Sequence, residues 1–452
     1  MLSEGPSHRL SNRAFCILLF LLCFAVYNSN LHLIPSPDSD ATKVLPLCII
    51  LDGDVYLDRF AAQWINTYWG SHPHSVTYRR GHWISLYPIV TPILITPLYV
   101  PLAWWIHRYN PPLDSVLVIR LVSLMEKISA SIIAALSAVF LYLCLFQLSG
   151  HRRATAMALT LVYAFASNMW VIGSQALWLH AMTALLVSLG LWLLLIADSR
   201  PSMLFGSGAA IALATANRPP AAVLAALLEI YVLMRYRSRS WSFFLTSATI
   251  AIAYFVYNIY FFGTFTGAFT AGSGWTTPIP VGLTGLLFNP SRGLLIYTPW
   301  TIFGFAGAAA VLFSRRGFTL PTCLALAAFG ELVLYSKWWC WWGGSCFGPR
   351  LLTDILPLLT ILLLPVMDSL DARVLLKFAF ALTVLVSFGV QIIGAYCAFP
   401  WELQEGKFWS WRDSQLVEAI REHQLIVWSP RNSGLLGDLH QSPDAPTSTS
   451  EY

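Results

Sequence analysis

The chain has 452 residues, of which 57% are hydrophobic and only 11% charged. Soluble domains carry about 25% charged residues, so composition excludes an ordinary soluble enzyme and points to an all-α membrane protein. The net charge of +5 sits in short clusters between apolar runs, not on one solvated face, so no nucleic-acid partner is indicated.

In chain order, Arg9 and Arg13 precede an apolar run over 14–26. That pattern predicts an uncleaved signal anchor with its N-terminus in the cytoplasm. A long first loop follows, about 30–115, with an apolar stretch over 44–51, a helix over 56–69 and an apolar segment over 85–106. Pro88, Pro92, Pro97 and Pro101 interrupt that last segment, and repeated prolines break the helical ladder. The segment is therefore expected to be re-entrant or interfacial.

Charge parity supports that expectation. Arg152-Arg153, Arg235/Arg237/Arg239 and Arg315-Arg316 mark cytoplasmic loops. An even number of crossings must then separate Arg13 from Arg152, and the anchor and a helix over 127–148 supply two. Further crossings are expected over 154–174, 176–197, 204–217, 219–234, 241–262, 294–313, 318–336, 351–367 and 374–396. This gives about 11 transmembrane helices, with a transmembrane domain over 1–396 and an outer-face tail over 397–452. Trp401, Trp409 and Trp411 suit a tail lying along the membrane, and its Ser/Thr/Pro-rich end, 441–452, reads as disordered.

Pinning the basic clusters to one side leaves the other polar residues on the opposite side. Asp52-Gly53-Asp54 precedes a helix, where one carboxylate is explained by capping alone. Two beside an apolar surface suggest more, either a base or a metal-phosphate site, and no metal is assigned. Arg79 to Pro88 mixes basic and aromatic residues, including His82 and Tyr87, and suits a phosphate near the bilayer. Gln175 and His180 fall at the end of a helical pair. Asn217-Arg218-Pro219-Pro220 breaks a helix and leaves an arginine that needs a carboxylate or an anion. Arg292, with Tyr297 after it, Lys337, Trp342 and Arg350 come from separate segments on the same side. Arg350 and Asp354 have the spacing to pair with each other, and Glu331 suits Lys337 or Arg218. Of the eight cysteines, Cys340 and Cys346 are close enough in sequence to bond but need not.

These residues together resemble the GT-C glycosyltransferases, most closely the bacterial relatives of protein mannosyltransferases in glycosyltransferase family 39. The likeness rests on Gly53-Asp54, Gly81 with Ile84-Ser85 and Tyr87-Pro88, Ser174-Gln175-Ala176-Leu177-Trp178 with His180, and Arg218-Pro219. It continues through Pro290-Ser291-Arg292-Gly293-Leu294, Trp341-Trp342-Gly343-Gly344, Gly348-Pro349-Arg350, and Trp409-Ser410-Trp411-Arg412-Asp413. The resemblance implies inverting transfer from a polyprenyl-phosphate-linked sugar on the outer face of a bacterial plasma membrane, without a cofactor. It makes Asp54 the base, with Arg218, Arg292, Lys337 and Arg350 holding the donor phosphate. His82, Tyr87, Gln175, His180, Tyr297 and Trp342 would line the substrate cavity. The partners are the lipid bilayer, the lipid-linked sugar and a glycan, lipid or protein acceptor. Val55 stands where many relatives carry an acid, so Asp52 stays open as the base. A flippase for lipid-linked sugars is the main rival, because it needs the cations but no base.

Overall fold

The computed structural model describes residues 12–30, 34, 37–67, 75–268, 274–314, 317–397 and 407–421. Arg9, Trp69, Arg315, Arg316, Trp401 and the segment 441–452 lie outside the described residues. After α1 (Asn12–Asn28) come α2 (Asp40–Leu51), α3 (Asp58–Thr67), the hairpin β1–β2 (Val76–Arg79 and His82–Ser85) and α4 (Val90–Tyr109). Next are α5 (Val116–Leu148), α6 (Arg153–Phe165), α7 (Leu179–Ile196), α8 (Met203–Asn217), α9 (Ala222–Tyr236) and α10 (Trp241–Phe262). The chain continues through α11 (Ile279–Phe288), α12 (Leu294–Tyr297), α13 (Thr301–Phe313), α14 (Leu320–Ser336), α15 (Leu356–Ile361), α16 (Leu364–Ala372), α17 (Val374–Tyr396) and α18 (Gln415–Arg421).

This is an all-α integral membrane protein. Among the described residues, six helices are long and apolar enough to cross a bilayer, or seven if the segment from Arg350 to Ala372, bent by 52°, is one span. The expected set of about 11 crossings also drew on α1, α6, α8, α13 and α14, which are apolar but only 10–17 residues long. Around α5, the longest helix, pack α1, α6 and α7; α8 joins α7 to α10, and α14 joins α9 to α13.

Hydrogen bonds define the two ends of the bundle. Arg153 bonds Asn12 Oδ1, and Arg235 bonds Asp198, so two of the basic loops meet the start of α1 and the turn after α7 at one end. At the other end Lys127 on α5 meets Asn30, just past α1, and Gln175, just before α7. From Lys127 to Leu148, α5 covers about 32 Å at 1.5 Å per residue, the thickness of a bilayer core. The end with Lys127 is called the polar end below.

Against expectation, α4 is unbroken despite Pro97 and Pro101 in its interior. Pro92 falls in its first turn, where no helical donor is lost. The α2 helix covers the other side, burying Ile95, Tyr99, Leu102, Ala103 and Ile106, and that packing outweighs the missing bonds. Both ends of α4 are nonetheless tied to the polar end. Thr91 Oγ1 donates to Asn217 Oδ1 at 2.7 Å, while the link to α5 joins it about 16 Å beyond the level of Lys127. Cysteines placed at Ser199 and Ser238 should therefore react with an impermeant maleimide from one side of the membrane, and cysteine at Asp114 from the other. Labelling of all three from one side would overturn this arrangement.

Candidate active site

Asp354 organises the polar end. It lies in the turn Arg350–Ile355 and its side chain is 2% exposed. A buried carboxylate must be fully bonded to be tolerated. Oδ2 accepts from Arg218 Nε at 2.7 Å and from the Tyr335 hydroxyl at 2.5 Å, and Oδ1 meets His180 Nδ1 at 2.8 Å. Arg218 also donates to the Tyr335 hydroxyl at 2.6 Å. The break at Pro219-Pro220 ends α8 here and leaves Arg218 extended, with φ −143°, so its side chain reaches across to α14 and the Asp354 turn. Glu331, one turn before Tyr335 on α14, is buried beside this pair, but Arg218 bonds Asp354 instead.

Arg350 does not pair with Asp354 despite the favourable spacing. Its Nη1 donates to Asp38 Oδ2 at 2.5 Å, and its guanidinium lies 4.1 Å from the Trp178 ring centroid. The tight turn at Arg350–Ile355 is not an α-helix, so residues four apart do not share a face. Gly343 and Gly344, with φ of +81° and +70°, bend the preceding loop around Arg350; a Cβ on Gly343 would sit 3.5 Å from Arg350 Cβ. The Tyr87 hydroxyl bonds Asp38, and burial together with that carboxylate raises its pKa above the ordinary tyrosine value. Arg350 Nε has no hydrogen-bond partner among the described residues.

Asp52 and Asp54 lie elsewhere. They follow the C-terminal end of α2, whereas Asp38 precedes its N-terminal end. Twelve helical residues separate the two by about 18 Å. Asp52 is held by Arg59 through Nε at 2.9 Å to both oxygens, and that bond raises the arginine's pKa. Asp54 Oδ1 accepts from Tyr56 N at 2.9 Å. Asp52, Asp54, Tyr56, Asp58 and Arg59 line an open cleft of about 550 Å³. His82 adjoins two residues of this cleft, stacked on Tyr56 with ring centroids 3.8 Å apart and bonded to Asp58 at 2.6 Å.

The structure thus brings together Tyr87, His180, Arg218 and Arg350, and puts Asp52, Asp54 and His82 at a second place. Gln175 is buried next to the first group, bonded to Lys127 and to Asn30. Arg292 is wholly buried and donates to Gly344 O at 3.1 Å and to Gln415, so it braces the loop before Arg350. Tyr297 is buried against Phe347. Trp342 stacks edge-on with Trp339, Trp341 and Phe408. Lys337 follows α14 without joining either arginine group through any bond described. Cys340 and Cys346 are free thiols.

Residues absent from the sequence expectations complete the polar end. Lys43 is buried between Asp40 at 2.5 Å and Glu126 at 3.6 Å, and Glu126 also accepts from Ser39 Oγ at 2.5 Å and from Leu177 N at 3.1 Å. Buried ionisable groups in a membrane bundle mark functional sites by default. The available signal was that Asp38 and Asp40 are the first carboxylates after α1. Asp38 lies just before α2 and Asp40 opens it, which reads equally well as an ordinary acidic helix start.

No family model matches the sequence, and no curated protein matches it. Among solved structures, the crystal structure of ArnT from Cupriavidus metallidurans bound to undecaprenyl phosphate is similar, with a TM-score of 0.49 and 13% identity, over 85% of this chain and 75% of that one. A likeness at that level says nothing by itself about chemistry, which rests on the residues above.

Proposed function

We propose that the chain is a membrane glycosyltransferase that moves a sugar from a polyprenyl-phosphate donor to an acceptor hydroxyl at the polar end of the bundle. On the positive-inside rule that end is the outer face. The observation that carries this reading is Arg350, a largely buried cation with one donor unsatisfied, in contact with the partly exposed carboxylate of Asp38. Transfer needs that pairing: a cation for the departing phosphate and a base within one sugar's width of it. The motif resemblance set out above points to the same chemistry.

In this mechanism Asp38 takes the proton of the acceptor hydroxyl as its oxygen attacks the anomeric carbon. The bond from that carbon to the phosphate oxygen breaks, and the electron pair leaves on the lipid phosphate. Arg350 stabilises that charge, with Arg218 beside it. Attack opposite the leaving group inverts the anomeric centre. Tyr87 and Trp178 hold Asp38 and Arg350 in place. Asp54, expected from sequence as the base, is about 18 Å away along α2, too far to serve a sugar whose phosphate sits on Arg350. Asp354 is closed off by its three partners.

The test is turnover of a radiolabelled polyprenyl-phosphate sugar by purified protein in lipid. Asp38→Asn should lose roughly 100-fold or more in rate while still binding donor, and Asp54→Asn should stay near wild type. The reverse pattern would return the base to Asp54 and detach it from Arg350. Donor binding without turnover in the wild type would favour a flippase.

A further inference from the structure

The segment after the last long helix returns to the polar end and inserts one side chain into it. Gln415, the first residue of α18, is fully buried. Its Oε1 accepts from Arg292 Nη1 and from Gly348 N at 3.3 Å, and its Nε2 donates to Cys346 O at 2.8 Å. Its backbone N donates to Ser291 Oγ at 3.3 Å. One amide therefore ties the 289–293 loop to the 340–350 loop, and the second of these ends in Arg350.

The insertion is built by the segment's own residues. Asn289 Nδ2 donates to Phe408 O at 2.6 Å, and the Phe408 ring packs on Trp341 and Trp342. Ser410 Oγ bonds Asp413 Oδ2 at 2.6 Å and closes the turn that leads into α18. Trp409 and Trp411 stay half exposed, so neither aromatic ring is what fills the core; the glutamine amide is. The partners also explain why this residue type is needed. An amide carries its acceptor and its donor on separate atoms, so Oε1 accepts from Arg292 and from a backbone N–H while Nε2 donates to a carbonyl.

We propose that Gln415 is a positioning residue for Arg350, so that the segment 407–421 is a working part of the site and not a tail. This rests on the function proposed above. Arg292 fixes Gly344 O from one side, and Gln415 fixes Cys346 O and Gly348 N from the other. Between them these bonds set the backbone from which the Arg350 side chain projects past Gly343 toward Asp38. Buried polar groups that lose their partner are costly, and a loop freed at two points, Cys346 O and Gly348 N, no longer holds a guanidinium in one geometry.

The experiment is a double-mutant cycle on binding of polyprenyl phosphate to the full chain in lipid nanodiscs, using wild type, Gln415→Ala, Arg350→Ala and the double variant. Gln415→Ala should weaken binding roughly tenfold and add almost nothing once Arg350 is already absent. Equal effects in both backgrounds, or no effect in either, would overturn the proposal. Gln415→Glu keeps the shape and both acceptor roles but loses the donor to Cys346 O. It should fall between wild type and Gln415→Ala, and serves if the alanine variant does not fold. A second readout does not depend on the proposed activity: maleimide modification of the buried Cys346 thiol, read by peptide mass. It should be slow in wild type and at least roughly tenfold faster in Gln415→Ala. Unchanged Cys346 protection would sink the inference. Wild type that binds no polyprenyl phosphate, with Cys346 released as expected, would instead fault the proposed function.

Discussion

Asp354→Ala is expected to cost about 3–5 kcal/mol of stability, because removing one partner of a buried ion pair leaves the other uncompensated. Arg218 would lose its carboxylate, and His180 and the Tyr335 hydroxyl would lose their shared acceptor. Asp354→Asn should be milder, since its amide oxygen can still accept from Tyr335. Replacing both members of the pair, as in Arg218→Met with Asp354→Leu, should recover much of the loss, because an apolar pair of similar volume removes the desolvation cost as well as the attraction. Thermal unfolding in detergent would check all three. A tolerated Asp354→Ala would mean that water reaches Arg218 and that the network does not hold the polar end together.

Arg350→Ala is the second large effect. On the proposed function it should weaken binding of polyprenyl phosphate by about 2–5 kcal/mol, at least roughly 30-fold in Kd. Arg350→Lys should recover only part of that. The ammonium keeps the charge, but it cannot lie flat on Trp178 while donating to Asp38 from one edge and to a phosphate from another. Titration of the lipid phosphate against purified protein would read both variants. Equal affinity in Arg350→Ala would move the phosphate to another cation, with Lys337 the next candidate.

The same residues show where reasoning from sequence holds and where it stops. Arg218 was expected to need a carboxylate or an anion, and it has a carboxylate. The expectation could not name Asp354, because the pair is 136 residues apart. The i,i+4 spacing of Arg350 and Asp354 predicted a pair that the tight turn prevents. The four prolines of the 85–106 segment suggested a broken element, yet α4 is continuous because α2 packs along it. Asp54 stood out because two aspartates flank a glycine, while nothing in the sequence around Asp38 drew it out as a site residue. On the proposed function their order reverses, because α2 holds them at opposite ends.

What the sequence determined alone is whatever depends on local composition. Long apolar runs with few charges must be helices in lipid, since no other element satisfies its own backbone there. Short arginine clusters between them mark one end of the bundle. The helix break at Pro219-Pro220 is equally local. Only the tertiary structure decided which charges meet, because Asp354 with Arg218 and His180, and Arg350 with Asp38, are 136, 174 and 312 residues apart in the chain. Pairing of buried charges is set by what lies within about 4 Å in a medium of low dielectric. No spacing along the sequence encodes that distance, so Asp38 with Arg350, and Gln415 beneath them, emerge only when the helices are packed.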